Sequence, residues 1–151
     1  MNTAIPFTQA GLDQLKAELV ALQNSRPAVV ERLSVARSMG DLSENSEYTD
    51  SKEELSFLDG RIAEIEEVLK NAVITAPQGL DAVDFGHFVT VKVNSTEATF
   101  QVVGEWEADP SQKKISHSSP LGKALIGKKI GENIEVDAPA GKISYTITGI
   151  K

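Results

Sequence analysis

The sequence contains no cysteine, and this absence excludes several kinds of functional site. Without thiolates the chain cannot form disulfide frameworks, zinc sites with cysteine ligands or cysteine nucleophiles, and a cytoplasmic location is favoured. The only histidines, His87 and His117, are far apart in sequence and are interpreted as structural or solvated residues. No apolar run approaches the roughly 20 residues of a membrane span, and the first residues lack the pattern of a secretory signal. Phosphate-binding glycine fingerprints and nucleophile elbows are also absent.

Positive charge is scarce, with 15 lysines and arginines against 22 acidic residues and a net charge of −7. This balance argues against bulk binding to a nucleic-acid backbone, although it allows a local basic patch. The acidic residues are concentrated in Asp41–Glu54, where six of them surround the single base Lys52. Hydrophobic residues make up 40% of the 151, enough for the core of one ordinary domain or two small ones.

Two apolar series in the first half have the alternating three- and four-residue spacing of a coiled-coil seam. The first series is Leu12, Leu15, Leu19, Leu22, Val29, Leu33 and Ala36, and it follows a possible N-cap at Thr8. The second is Tyr48, Ser51, Leu55, Leu58, Ile62, Ile65, Leu69 and Ala72. Seven pairs of positions, one from each series, have numbers that sum to 84, which predicts an antiparallel helical hairpin turning at Leu42. Arms of about 30 residues would be about 45 Å long, so the hairpin must project from any small domain.

The second half changes to the two-residue period of β-strands. "HFVTVKVN" and "EATFQVVG" predict strands joined near residues 94–96, and "ENIEVDAPAGKISYTITGI" predicts a second hairpin that turns at residues 139–141. Between them, Ser119 as N-cap, Pro120 and Gly127 delimit a short helix. The fold class is therefore α+β. A coiled-coil hairpin occupies residues 1–76, with its tip at 39–45, and a small antiparallel-sheet domain occupies residues 77–151.

The stretch "MGDLSENSEY" at the predicted turn has two interpretations. In the first, Asp41 is a helix N-cap and Glu44 completes a capping box, while Ser43 or Asn45 could cap equally well. In the second, Asp41 and Glu44 lie at the far end of a projecting arm, where they could supply one or two oxygens to Mg²⁺. Water, phosphate or another protein would provide the remaining ligands. An acid pair in this position suits a finger that reaches into the active site of another protein.

The combination of "GDLSENSEY" in a hairpin turn with a later "SPLGKALIGK" resembles the Gre family of bacterial transcript cleavage factors, closest to its GreA branch. The resemblance covers essentially the whole chain and includes "GRIAEIEEVLKNAVI" and "VVGEWEAD". It implies a coiled coil that enters the secondary channel of bacterial RNA polymerase. It also implies an FKBP-like second domain that docks at the rim of that channel.

The resemblance also assigns roles to residues at the tip. Asp41 and Glu44 would complete the coordination of a second Mg²⁺ beside the aspartates of the polymerase, so the ion is shared and no cofactor is bound tightly by this chain alone. The paired ions would promote cleavage of the backtracked RNA 3′ end. Ser43 is assigned to a hydrogen bond with water or RNA. Arg37 and Lys52 match a small basic patch that contacts extruded RNA phosphates, or they are ordinary surface charges paired with nearby glutamates.

In this interpretation the chain is an accessory factor that activates the endonuclease activity of the polymerase, and is not itself an enzyme. One alternative keeps the architecture and makes the chain an inhibitor or regulator that binds in the channel. Family inhibitors of that kind differ in their tip acids, whereas Asp41 and Glu44 match the active pattern. Another alternative treats the second domain as a prolyl isomerase or chaperone, although the shape of a domain does not by itself imply an activity.

Overall fold

The computed structural model describes residues 3–40 and 44–151, and its chain divides into two compact units. The first unit consists mainly of Asp13–Ala72, and the second of Ala4–Leu12 together with Val73–Lys151. The sequence places its boundary between residues 76 and 77 and assigns residues 4–12 to the hairpin. Near the N-terminus, strand β1 (Ile5–Phe7) pairs with strand β2 (Ala72–Ile74) in a two-stranded sheet. In the described ranges no helix combines the length and apolarity needed to cross a membrane.

Helix α1 spans Gln9–Ser38 and helix α2 spans Ser46–Asn71. The first unit contains α2 and all but the first turn of α1, and the residues of both predicted seams are turned inward. Every residue of the two seams is buried or half-buried, and Val29 and Ile65 are almost fully enclosed, at 2% and 0% exposed. Helix α1 begins after its predicted N-cap, because the Thr8 hydroxyl oxygen accepts the main-chain N–H of Gly11 at 3.1 Å.

Ion pairs between the two helices confirm their antiparallel register. They join Arg26 to Asp59, Arg32 to Glu54 and Arg61 to Glu18. Residue numbers fall along α2 as they rise along α1, as the mirrored seams predict. Arg26 replaces an apolar residue in the first seam, and its guanidinium reaches the exposed carboxylate of Asp59.

The second unit is built on a five-stranded sheet in the order β5-β4-β3-β7-β6. Its strands are β3 (Phe88–Val93), β4 (Thr96–Val103), β5 (Lys114–Ser116), β6 (Asn133–Ala138) and β7 (Gly141–Ile150). The two predicted hairpins, β3–β4 and β6–β7, are confirmed. The sheet is nevertheless mixed, because β5 runs parallel to β4, and the expectation of a wholly antiparallel sheet is wrong at this edge. Three residues are too few to show a strand period, so β5 had no signal in the sequence.

The predicted short helix is α3, which spans Pro120–Leu125. Its N-cap is Ser119, whose side-chain oxygen accepts the Gly122 N–H at 3.1 Å. Leu125 is fully buried and joins a core of valine and isoleucine side chains from the sheet. The fold class predicted from the sequence, a helical hairpin followed by a small sheet domain with one short helix, is therefore confirmed.

The two histidines lie in the second unit and have structural contacts there. His87 is 1% exposed; its Nδ1 accepts the Asp84 N–H at 2.9 Å, and its Nε2 lies 2.6 Å from the Gly79 carbonyl oxygen. Because the first contact needs an unprotonated Nδ1, the proton of the neutral ring is on Nε2. The ring of His117 contacts Phe85 edge-on, with 5.6 Å between the ring centres.

Candidate functional site

The described part of the hairpin tip lies between the end of α1 at Ser38 and the start of α2 at Ser46. Gly40 has φ +113°, a backbone conformation that only glycine adopts without strain, so it suits the point where the chain leaves α1. Two of the predicted site residues, Asp41 and Ser43, fall outside the described residues. Arg37 lies in the last turn of α1, Glu44 precedes the N-cap of α2, and Lys52 lies in the second turn of α2.

Asn45 is the N-cap of α2 and bonds to both helices. Its side-chain oxygen accepts the Tyr48 N–H at 3.1 Å, and its side-chain nitrogen donates to the Ala36 carbonyl oxygen of α1 at 2.7 Å. Of the three capping residues that the sequence offers, Asn45 is therefore the one that caps α2, and the capping box of Asp41 with Glu44 involves a residue outside the described part of the chain. The Asn45 side chain thus contacts both the end of α1 and the start of α2.

Glu44 directly precedes this N-cap, and its side chain is exposed. A capping-box glutamate lies three positions after the cap, inside the first helical turn, and Glu44 is on the other side of the cap. Toward the residues that the structure describes, its carboxylate makes no hydrogen bond and no ion pair. None of the described residues at the two helix ends therefore uses these oxygens, and the side chain that carries them is exposed.

Arg37 and Lys52 lie on different helices and both approach the ring of Tyr48. The Arg37 guanidinium carbon lies 5.9 Å from the ring centre, and the Lys52 ammonium nitrogen lies 5.8 Å from it. These are cation–π distances. Within residues 3–40 and 44–151 neither base forms an ion pair, so the alternative in which they pair with nearby glutamates receives no support there. Tyr48 thus contacts positive charges from both helices.

The potential metal ligands of the described residues are dispersed. No three His, Asp or Glu side chains of the described ranges are grouped closely enough to hold a metal ion. Mg²⁺ requires six oxygen ligands in near-octahedral geometry, and in proteins it commonly keeps several waters and takes one or two carboxylates. An exposed carboxylate such as that of Glu44 fits this role as one donor among several, with the rest coming from outside its own helix.

Sequence reasoning did not reveal the contacts that Tyr48 and Asn45 make between the two helices. Tyr48 was assigned only to the helical seam, where its half-buried ring does lie, and its position between two bases becomes visible only when both helices are in place. Asn45 was considered as a cap, but its bond to Ala36 depends on where α1 ends. An Asn among capping residues was the only signal for it, and Asp41 and Ser43 gave the same signal.

Comparison with known proteins assigns each half of the chain to a family model. Residues 5–74 match the model described as "Transcription elongation factor, N-terminal", and residues 76–151 match "Transcription elongation factor, GreA/GreB, C-term". Among curated relatives, the chain is 47% identical to transcription elongation factor GreA of Rhodospirillum rubrum, with 97% of each chain covered. It is 45% identical to the GreA of Lactococcus lactis subsp. cremoris, with 99% of each chain covered.

A solved structure with a similar chain is the GreA factor homolog 1 (Gfh1) protein of Thermus thermophilus. It is 26% identical to this chain and superposes with a TM-score of 0.46, with 98% of this chain and 99% of the other covered.

Proposed function

The chain belongs to the GreA/GreB family of transcription elongation factors, and from this premise we propose that it stimulates the cleavage of backtracked RNA by bacterial RNA polymerase. The helical hairpin enters the secondary channel of the polymerase, and the second unit docks at the rim of that channel. The partner is the polymerase together with the extruded RNA 3′ end. The factor is an accessory protein, and the bond is broken in the active site of its partner.

The proposal is supported chiefly by the exposure and the position of the Glu44 side chain. Its carboxylate is exposed, precedes the N-cap of α2, and has no partner among the described residues. Because Asn45 already caps the helix, an acid at position 44 is not needed for capping. Its position at the end of two helices, of 30 and 26 residues, suits delivery of a carboxylate to a distant site.

Asp41 and Glu44 are the residues that would hold a Mg²⁺ ion, together with ligands from the polymerase, water and RNA phosphate. The ion, when bound, supplies Lewis-acid stabilisation of the attacking and leaving oxygens in phosphodiester hydrolysis. The contribution of this chain is to carry the carboxylates into the channel and to orient them. Ser43, between the two acids, donates or accepts a hydrogen bond with water or RNA in this proposal.

Arg37 and Lys52 serve as contacts for the phosphates of the extruded RNA. The two bases come from different helices and lie beside the same tyrosine ring, at 5.9 and 5.8 Å from its centre. Phosphate contacts position a nucleic acid without reading its sequence, which suits a factor that must act wherever the polymerase backtracks. The chain as a whole carries a net charge of −7, so attraction to RNA phosphates depends on local groups such as these two bases.

The test is a cleavage assay on halted, backtracked elongation complexes with purified polymerase. Asp41→Asn and Glu44→Gln are expected to lower the stimulated rate more than about tenfold, because replacing even residues next to metal ligands costs about 10–100-fold. Competition against the wild-type factor should show that both variants still bind the polymerase. The matched control is Glu47→Gln, which removes the same charge from the first turn of α2 and should cleave at the wild-type rate.

The proposal fails if both tip variants cleave as fast as the wild type. A wild-type chain that binds the polymerase and slows its intrinsic cleavage would instead support the alternative of a channel-binding inhibitor.

A further inference from the structure

We propose that Asn45 is a positioning residue, which fastens the start of α2 to the end of α1 and thereby fixes the main chain from which Glu44 projects. The inference rests on the proposed function of Glu44 as a metal-holding carboxylate. It assigns to Asn45 no contact with metal, RNA or polymerase.

The amide group of Asn45 is bonded at both of its ends. The carbonyl oxygen accepts the N–H of Tyr48 at 3.1 Å, and the NH₂ group donates to the Ala36 carbonyl oxygen at 2.7 Å. Both partners are main-chain groups with fixed roles, one a donor and the other an acceptor. The orientation of the amide is therefore determined by its surroundings, since a flipped amide would face a donor with its NH₂ and an acceptor with its oxygen.

The Ala36 carbonyl is a group that needs a partner. It belongs to the last turn of α1, where carbonyl oxygens have no N–H four residues ahead within the helix. Ala36 is 1% exposed, so water has little access to it. The Met39 N–H lies at 3.2 Å, and Asn45 supplies the second and shorter bond. The bond thus satisfies a largely buried acceptor and joins the two helices at the tip.

This second bond exceeds what capping requires. An N-cap needs only a side-chain oxygen, and Ser and Asp are about as effective as Asn. The donor that reaches Ala36 is specific to the amide, because a serine side chain is shorter and an aspartate would present a second oxygen to the carbonyl. Substitutions at position 45 can therefore remove the bond between the helices and keep the cap.

Glu44 is the residue that benefits, because it is bonded directly to Asn45 in the chain. With Asn45 attached to both helices, the peptide group preceding it has little freedom to rotate. A misplacement of about 1 Å in a reacting arrangement can cost about 100-fold in rate, so a firm support is expected to matter for a metal ligand. The support comes from outside the ligand set, as is usual for metal-binding side chains.

The experiment compares the wild type with Asn45→Ser, which keeps the cap and loses the bond to Ala36, and with Asn45→Asp as a second variant with the same property. The first readout uses the free protein without metal. Backbone ¹⁵N relaxation should show the order parameter of the Glu44 amide falling from about 0.85 toward 0.6 or lower in both variants. Thermal unfolding should show only a modest loss of stability, because the cap is retained and the Met39 N–H still bonds the Ala36 carbonyl oxygen.

The second readout is cleavage of backtracked complexes as a function of Mg²⁺ concentration. Asn45→Ser should require about tenfold more Mg²⁺ for half-maximal cleavage and should approach the wild-type rate at saturation. A role in stability alone would not shift the Mg²⁺ requirement. Unchanged Glu44 order parameters together with an unchanged Mg²⁺ requirement in Asn45→Ser would overturn the inference.

Glu44→Gln, measured in parallel, separates this inference from the proposed function. If Glu44→Gln is inactive and Asn45→Ser behaves as wild type, only the inference about Asn45 fails. If Glu44→Gln is fully active, the proposed function fails, and the relaxation data still decide whether Asn45 holds the tip.

Discussion

Arg26 of α1 and Asp59 of α2 form a two-point ion pair, with Nε to Oδ1 at 2.7 Å and Nη2 to Oδ2 at 3.2 Å. The hydrogen bonds from Arg26 hold the pKa of the Asp59 carboxyl below its ordinary value, and the pKa of Arg26 is raised by the same contact. Both side chains are nearly half exposed, at 46% and 47%, so solvent and salt screen the pair.

The pair predicts a pH dependence of hairpin stability. Asp59 has a lower pKa in the folded chain than in the unfolded chain, so its contribution is present above the unfolded value of about 3.9. The contribution is lost as the pH falls through the folded pKa, because protonation removes the charge. Thermal unfolding of Asp59→Asn should therefore show a small loss of stability at pH 7 that shrinks toward pH 2. An equal difference at both pH values would contradict this account.

Replacing glycine by alanine should have opposite effects on stability at two helical positions, Gly122 and Gly60. A Cβ on Gly122 would lie 2.0 Å from the Ser116 carbonyl oxygen and 3.0 Å from His117 Cα, and neither main-chain atom can move aside easily. Gly122→Ala should therefore destabilise the second unit by about 1–3 kcal/mol or more. A Cβ on Gly60, within α2, meets nothing within 4 Å, so Gly60→Ala should stabilise by about 0.5–1 kcal/mol. Urea unfolding measures the free energy of unfolding of both variants. A change of the same sign in the two variants would refute the steric explanation.

We expect Glu107 to stabilise the segment at the start of α1, within the second unit. Its carboxylate accepts the Thr8 N–H at 2.9 Å, the Thr8 hydroxyl and the Gly104 N–H at 3.3 Å. Glu107→Ala leaves these donors without their partner, which should cost about 1–3 kcal/mol and speed hydrogen exchange at the Thr8 amide. The control is Glu105→Ala, whose exposed carboxylate accepts only from Ser118 in the described contacts and should matter less. Unchanged exchange at Thr8 in the Glu107 variant would show that the contact is dispensable.

The hairpin could be predicted from the sequence because its information is local and periodic. Seams with alternating three- and four-residue steps specify which faces meet, and their mirror symmetry specifies the register that the Arg26–Asp59 and Arg32–Glu54 pairs display. The strands with a two-residue period and clear turn residues were predicted for the same reason.

The features that the sequence did not reveal depend on contacts between distant segments. Glu107 and Thr8 are 99 positions apart, and no pattern within either segment indicates the other. At the tip, Asp41, Ser43 and Asn45 all suit an N-cap by residue type. Asn45 is distinguished by its hydrogen bond to the Ala36 carbonyl oxygen. That bond can form only after α1 has ended and α2 lies beside it. Metal binding by Asp41 and Glu44 stays a prediction.

The ring of Tyr48 contacts both Arg37 of α1 and Lys52 of α2. Tyr48→Phe keeps an aromatic face and should leave the stimulated cleavage unchanged. Tyr48→Leu keeps an apolar seam residue and removes both cation–π contacts, each worth about 0.5–1 kcal/mol at an exposed site. If the two bases contact extruded RNA, the concentration of factor needed for half-maximal cleavage should rise about two- to fivefold, and its dependence on salt should weaken. Equal behaviour of the Leu and Phe variants, with both folded by thermal unfolding, would show that the tyrosine serves only the helical seam.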